Sequence, residues 1–242
     1  MKGKIIFVTG TDTGVGKTTV SGLLAAGLAA QGLRVAVFKP VETGCMPGED
    51  GKLIPADAVR LKTLARSSQA IEDVCPYAFA EPLAPAVAAE RSGRSIDFRE
   101  LCQHIGRSMT GYDVALVEGA GGWLVPLTPH LTFADLAVAL RGTVVVVVAN
   151  RLGALNHALL TAQNIRMHGA RWGGYIWNHP TPPGDVAQTT NIDALRPWLG
   201  DALSTVPHLP SEALSDPSSA ARLARDLLDL ERLLRTAQDD AA

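Results

Sequence analysis

A short apolar run, Ile5-Ile6-Phe7-Val8, ends in Thr9-Gly10-Thr11-Asp12-Thr13-Gly14-Val15-Gly16-Lys17-Thr18-Thr19, and an Ala/Leu-rich stretch follows at once. A glycine-rich turn between a strand and a helix, closed by Gly-Lys-Thr, is a phosphate-binding loop. Backbone N–H groups converge on phosphate oxygens only where no Cβ obstructs them, and the helix N-terminus adds a favourable dipole. Lys17 is placed to neutralise β/γ-phosphate charge and the Thr18 hydroxyl to hold a magnesium ion. Five residues separate Gly10 from Gly16, one more than the common spacing. The chain is therefore expected to handle a nucleoside triphosphate.

The remainder alternates in the manner of an α/β protein. Apolar runs bounded by turn residues occur at 5–9, 34–38, 114–117, 143–149, 174–177 and 203–206, with helix-like segments at 17–31, 56–66, 98–110, 133–140, 156–168 and 192–199. Strands alternating with helices imply a mainly parallel sheet flanked by helices, because parallel neighbours need crossovers, and ligands then gather at the carboxyl ends of the strands. A single domain over residues 1–242 is expected, with a loop-rich insertion at 43–95, where Pro47, Pro55, Pro76, Pro82 and Pro85 punctuate the chain. Leu223, Leu227, Leu230 and Leu234 recur at helical spacing and predict a packed C-terminal helix over 218–236, with 238–242 frayed.

Composition narrows the partners. A net charge of −2 provides no basic field for nucleic acid or an anionic membrane. The apolar part of the N-terminus is too short for a signal peptide, and the run from Val144 to Val148 is far too short to span a bilayer, which predicts a cytoplasmic protein. Cys45, Cys75 and Cys102 are widely spaced and read as reduced thiols; the six histidines show no ligand spacing.

Each further strand end carries a polar group suited to phosphoryl transfer. Lys39 follows the second strand, in Lys39-Pro40-Val41-Glu42-Thr43-Gly44, and taken alone is as readily a solvated terminator. Glu118 ends the third, ahead of Gly119-Ala120-Gly121-Gly122, and offers a hard oxygen to magnesium; the other reading is a glycine-rich turn after an edge glutamate. Asp57 is either a second carboxylate for the site or a residue complementing a helix dipole. Asn178, before His179-Pro180, has an amide able to read an adenine edge, or is an ordinary asparagine at a proline turn.

Taken together, the long loop at 9–18, Lys39-Pro40-Val41-Glu42-Thr43-Gly44, Val117-Glu118-Gly119-Ala120-Gly121-Gly122 and Leu152-Gly153-Ala154-Leu155-Asn156-His157 closely resemble the dethiobiotin synthetases, with Phe79-Ala80-Glu81-Pro82 and Thr132-Phe133-Ala134-Asp135 as further matching segments. The resemblance implies a P-loop NTPase fold and an ATP- and magnesium-dependent ligase of biotin synthesis. Such an enzyme closes a ureido ring on 7,8-diaminononanoate with carbon dioxide and works as a homodimer. Carried onto this chain, it implies that Gly14, Val15, Gly16, Lys17, Thr18 and Thr19 wrap the phosphates and that Thr18, Asp57 and Glu118 hold magnesium. Gly119, Ala120 and Gly121 border the nucleotide, Asn178 reads the adenine, Val206 and Pro207 flank it, and His179 and His208 belong to the same nucleotide site. Thr13, Lys39 and Thr43 face the diamine, while Gly153 and Asn156, at a helix start, receive its carboxylate from the other subunit. Lys17 and Lys39 supply the positive charge that lets a carbamate attack a phosphoryl group.

Two other readings share the loop. A partition- or division-type ATPase switch carries a second lysine where this chain has Asp12, and an acid there does not favour a partner's phosphates. An amidoligase-like relative activates a carboxylate and needs a glutamine-hydrolysing domain, for which no length is left after Leu209.

Overall fold

Every residue of the most apolar run, Thr143–Ala149, is buried, because helices cover both of its faces. In the computed structural model, which describes residues 3–182, 184 and 186–237, strand β1 (Lys4–Gly10) leads into helix α1 (Lys17–Ala30) and strand β2 (Val35–Phe38). There follow β3 (Val41–Thr43), β4 (Met46–Pro47), β5 (Leu53–Ile54), α2 (Ala56–Leu64), α3 (Ile71–Val74), β6 (Tyr77–Phe79), α4 (Pro85–Arg91) and α5 (Phe98–Ser108). The second half runs β7 (Val114–Glu118), α6 (Phe133–Ala139), β8 (Thr143–Ala149), α7 (Ala154–Met167), β9 (Arg171–Asn178), α8 (Ala187–Leu199), β10 (Ser204–Val206), α9 (Pro217–Leu227) and α10 (Leu230–Thr236).

The main sheet has six strands in the order β10-β9-β8-β1-β7-β2, and each neighbouring pair is parallel. This is the expected α/β architecture. Later strands add to both sides of β1, so the order switches there, the point at which such sheets bind their ligands. The phosphate-binding loop leaves from that point. Alternate residues of β8 serve two cores: Val145 and Val147 pack with Leu23, Leu24 and Leu61 on one face, and Val144, Val146 and Val148 with Phe133, Leu136 and Ala158 on the other. Full burial of each valine contributes roughly 1.5–3 kcal/mol.

Several boundaries differ from the sequence reading. Strand β9 begins at Arg171 and not at 174, because Gly173 and Gly174 lie inside it: the register with β8 shifts at Val144/Val145, and Gly174 takes φ +121°. Glycines that look like a strand's boundary are its bulge. Helix α7 starts two residues before the expected 156, and α8 starts at Ala187, not 192. The insertion at 43–95 is more ordered than expected, holding the β3–β6 pair, the β4–β5 hairpin and helices α2, α3 and α4. Two of its prolines open helices: Pro85 is the first residue of α4 and Pro55 precedes α2.

The C-terminal helix expected over 218–236 is two helices. Leu228 turns to extended backbone and bridges to Ser204 of β10, and Asp229 then caps α10 by accepting from the Arg232 N–H. The tail still packs on the body of the molecule: Ala224 and Leu230 sit so close to Gly27 of α1 that a Cβ there would lie 2.7 Å from each. The expectation for 238–242 lies outside the described residues.

Candidate active site

The loop from Gly10 to Lys17 folds over the end of β1, and its conformation requires Gly16. That residue has φ +90°, and a Cβ on it would collide with the amide of Asn178. Asn178, at the end of β9, is 3% exposed and donates from Nδ2 to the Val15 carbonyl at 2.7 Å. Its amide N–H therefore braces the loop from below. Lys17 is also buried, with Nζ donating to the Asp12 carbonyl at 3.1 Å. Burial first, then the neighbouring Lys39, lowers its pKa to about 8.

Lys39 is not a solvated strand terminator. It is 4% exposed, and its ammonium meets Glu118 Oε1 at 2.5 Å and Asp57 Oδ2 at 2.9 Å. Burial alone would lower its pKa, but the two carboxylates outweigh that and raise it above the ordinary lysine value. Burial would likewise raise the Asp57 carboxyl, yet Lys39 brings it below its usual range. Two ammonium groups thus stand beside two carboxylates, so the charges of the protein alone balance here.

Glu118, 0% exposed, joins the two halves of the site. Its Oε1 accepts from Thr18 Oγ1 at 2.9 Å as well as from Lys39, while Oε2 is buried without a hydrogen-bond partner among the described residues. A buried carboxylate oxygen left open beside a hydroxyl and a second carboxylate suits a hard divalent cation. No group of three or more His, Cys, Asp or Glu that could hold a metal occurs among the described residues. Thr18, Asp57 and Glu118 therefore offer a partial set, of the kind magnesium completes with phosphate and water.

The other expected residues are distributed around this centre. Gly119 N donates to the Val8 carbonyl at 3.0 Å, and Gly121, at φ +67°, brings the turn through Ala120 against the loop, where its Cβ position is 3.5 Å from Thr13 Oγ1. Thr43 ends β3 and is half-buried. Val206 pairs with Asn178 and accepts from the His179 N–H at 2.9 Å, so Pro207 and His208, both exposed, continue on that side. Burial lowers the pKa of the His179 imidazole. Gly153 and Asn156 are exposed at the start of α7, apart from the buried charges.

Two features escaped the sequence reading. Glu42 is buried, and its carboxylate accepts from the N–H groups of Asp57 and Ala58 at 2.9 and 3.0 Å. Arg151 pairs with Asp12 at 2.7 Å across the mouth of the loop. Neither lies in a recognisable spacing; only the fold brings residues 15 or 139 positions apart together. Burial raises the thiol pKa of Cys45 to about 11 and also that of Cys75 and Cys102, and all three are free. No helix among the described residues is long and apolar enough to cross a membrane.

A family model described as an AAA domain matches residues 4–219. Over 235 residues the chain is 39% identical to the ATP-dependent dethiobiotin synthetase of Anaeromyxobacter sp. (strain Fw109-5), covering 96% of this chain and 95% of that one. It is 37% identical over 235 residues to the same-named protein of Yersinia pestis bv. Antiqua (strain Angola), covering 97% of each. Among solved structures, a ParA family ATPase from Chlorobium tepidum TLS aligns with a TM-score of 0.56 at 14% identity, covering 99% of this chain and 100% of that one. The septum site-determining protein MinD complexed with Mg-ADP from Pyrococcus horikoshii OT3 gives 0.55 at 16%, covering 97% and 94%. At such identities these two show the fold alone. By the matched model and the two relatives, the chain belongs to the AAA-domain family of P-loop proteins and to the dethiobiotin synthetases.

Proposed function

We infer that the protein is an ATP-dependent ligase that closes the ureido ring of dethiobiotin on 7,8-diaminononanoate, using carbon dioxide and releasing ADP and phosphate. Family membership supports the reaction, and one observation carries its assignment to this site: two buried lysines, Lys17 and Lys39, flank the point where the loop meets Glu118. One amine of the diamine captures carbon dioxide as a carbamate. The carbamate oxygen takes the γ-phosphoryl group, and the second amine then displaces phosphate. Two anions must meet in the phosphoryl step, so fixed cations lower its barrier more than any group that donates or removes a proton.

Gly14 through Thr19 wrap the triphosphate, with Lys17 against its β/γ oxygens. Thr18, Asp57 and Glu118 hold magnesium, which supplies Lewis-acid charge neutralisation at the transferring group. The carbamate competes with Glu118 and Asp57 for the Lys39 ammonium, while Thr13 and Thr43 orient the diamine. Asn178 and His179, with Val206, Pro207 and His208, border the base, and the bond to Val15 uses only one of the two Asn178 Nδ2 hydrogens, so the amide can read the base while still bracing the loop. Gly153 and Asn156 take the substrate carboxylate at the α7 N-terminus of the other protomer of a homodimer. Exposed Leu152, just before that segment, and Leu160 and Met167, along α7, at 79%, 58% and 76%, support such an interface. The enzyme works in the cytoplasm on small molecules, without nucleic acid or membrane.

The test is product formation from ATP, magnesium, diaminononanoate and 13C-bicarbonate, followed by mass spectrometry. The proposal requires dethiobiotin carrying one labelled carbon and one phosphate released per product. ATP hydrolysis indifferent to diamine and bicarbonate, but stimulated by a protein or lipid, would instead indicate a switch ATPase.

A further inference from the structure

Helix α2 carries Asp57 to Lys39, yet it has no side-chain cap of its own: the position before its first residue is Pro55, which offers no side-chain acceptor. The second and third amides of a helix are those an N-cap side chain ordinarily satisfies. In α2 they belong to Asp57 and Ala58, and both are taken by Glu42, one carboxylate oxygen each. Glu42 reaches them from β3, which also carries Thr43. Its carboxylate is buried, with both oxygens committed to backbone, so it is not itself disposed to act on substrate.

We propose that Glu42 is a positioning residue for the metal and Lys39: by capping α2 from a neighbouring strand it fixes the Asp57 carboxylate where Lys39 and a divalent cation need it. The inference rests on the functional reading above only in naming magnesium as that cation. Its physical content is that the cap sets where Asp57 lies. Without the carboxylate, the first turn of α2 loses an acceptor for one of two amides, frays, and lets Asp57 move off Lys39. The nucleotide's own contacts with Gly14 through Thr19 lie on a different segment and are untouched.

The experiment titrates magnesium against ATP binding by calorimetry in the absence of diamine, so that it reads the site independently of turnover. Glu42→Gln should raise the magnesium concentration needed for half-saturation by roughly tenfold or more, the usual scale for a residue that orients a metal ligand. Binding of ATP in excess chelator should stay within about twofold of the parent. The companion is the double variant E42Q with Pro55→Ser, which gives α2 a local cap. If Glu42 acts by fixing the helix, the serine restores much of the magnesium affinity; if it does not, and thermal stability alone recovers, the positioning role is wrong. Unchanged magnesium dependence in a folded Glu42→Gln protein would also overturn it. Failure of the ligase reading appears elsewhere, as a parent protein that binds ATP and magnesium but gives no diamine-dependent product.

Discussion

Two ion clusters flank the phosphate-binding loop, and they differ in one respect. On the β7 side, Lys39 and Glu118 form a pair whose side chains are 5% and 0% exposed, with Asp57 at its rim, 41% exposed. On the β8 side, Asp12 and Arg151 form a pair whose side chains are 49% and 47% exposed. Both are short and both join segments distant in sequence. Burial separates them: in water the attraction between charges is offset by hydration and chain entropy, whereas inside the protein an uncompensated charge is costly. The contrast teaches that proximity to the loop does not by itself make a charge part of the chemistry. The buried cluster holds an arrangement that would not persist in water, and the exposed pair tethers the loop loosely.

The largest expected effect comes from breaking the buried cluster. Lys39→Met leaves Glu118 and Asp57 without their cation, and denaturant unfolding should report a loss of about 3–5 kcal/mol, together with loss of diamine-dependent ADP release. A variant as stable as the parent would show that the cluster is hydrated. Lys17→Ala should lower turnover by roughly a hundredfold or more, the scale for removing one fixed donor at developing charge. Its removal should not destabilise the fold at neutral pH, since burial of the charged ammonium already opposes folding there.

The pH dependence of Lys17 sharpens the distinction. Its folded pKa is about 8 against an ordinary value of 10.5, so the folded chain releases this proton first. ATP affinity should fall as pH rises through about 8, because binding the phosphates needs the charged form. The contribution of Lys17 to the stability of the free protein has the opposite slope between those values, since there the unfolded chain binds more protons. Titration calorimetry and denaturant unfolding over pH 7–10 check the two signs. Smallest of all, Arg151→Ala should cost less than about 1 kcal/mol and lose even that at high salt; a larger loss would place the exposed pair among the organising contacts.

The parts of this arrangement legible in the sequence are those that local chemistry dictates. A strand, glycines and Lys-Thr in one stretch specify the loop, and Thr143 to Ala149 specifies a central strand by its β-branched apolar run. Glu118 was legible because it ends such a run. The burial of Lys39 was not, since a lysine after a strand looks alike whether it faces water or a carboxylate 79 residues away. Glu42 had no signal beyond the resemblance segment containing it, because its partners are backbone amides, which carry no residue identity. Gly173 and Gly174 misled for a related reason: glycine marks both a strand's boundary and its bulge, and only the partner strand decides.

The central claim is that the buried lysines at the loop serve the meeting of two anions. A crystal soaked with a non-hydrolysable ATP analogue, magnesium and the diamine tests it most directly. The account predicts the triphosphate along Gly14 through Thr19, with the Lys17 and Lys39 ammonium groups turned to the terminal phosphate and the carbamate oxygen. A triphosphate bound elsewhere, or a Lys39 still held by Glu118 and Asp57 with both substrates in place, would contradict it.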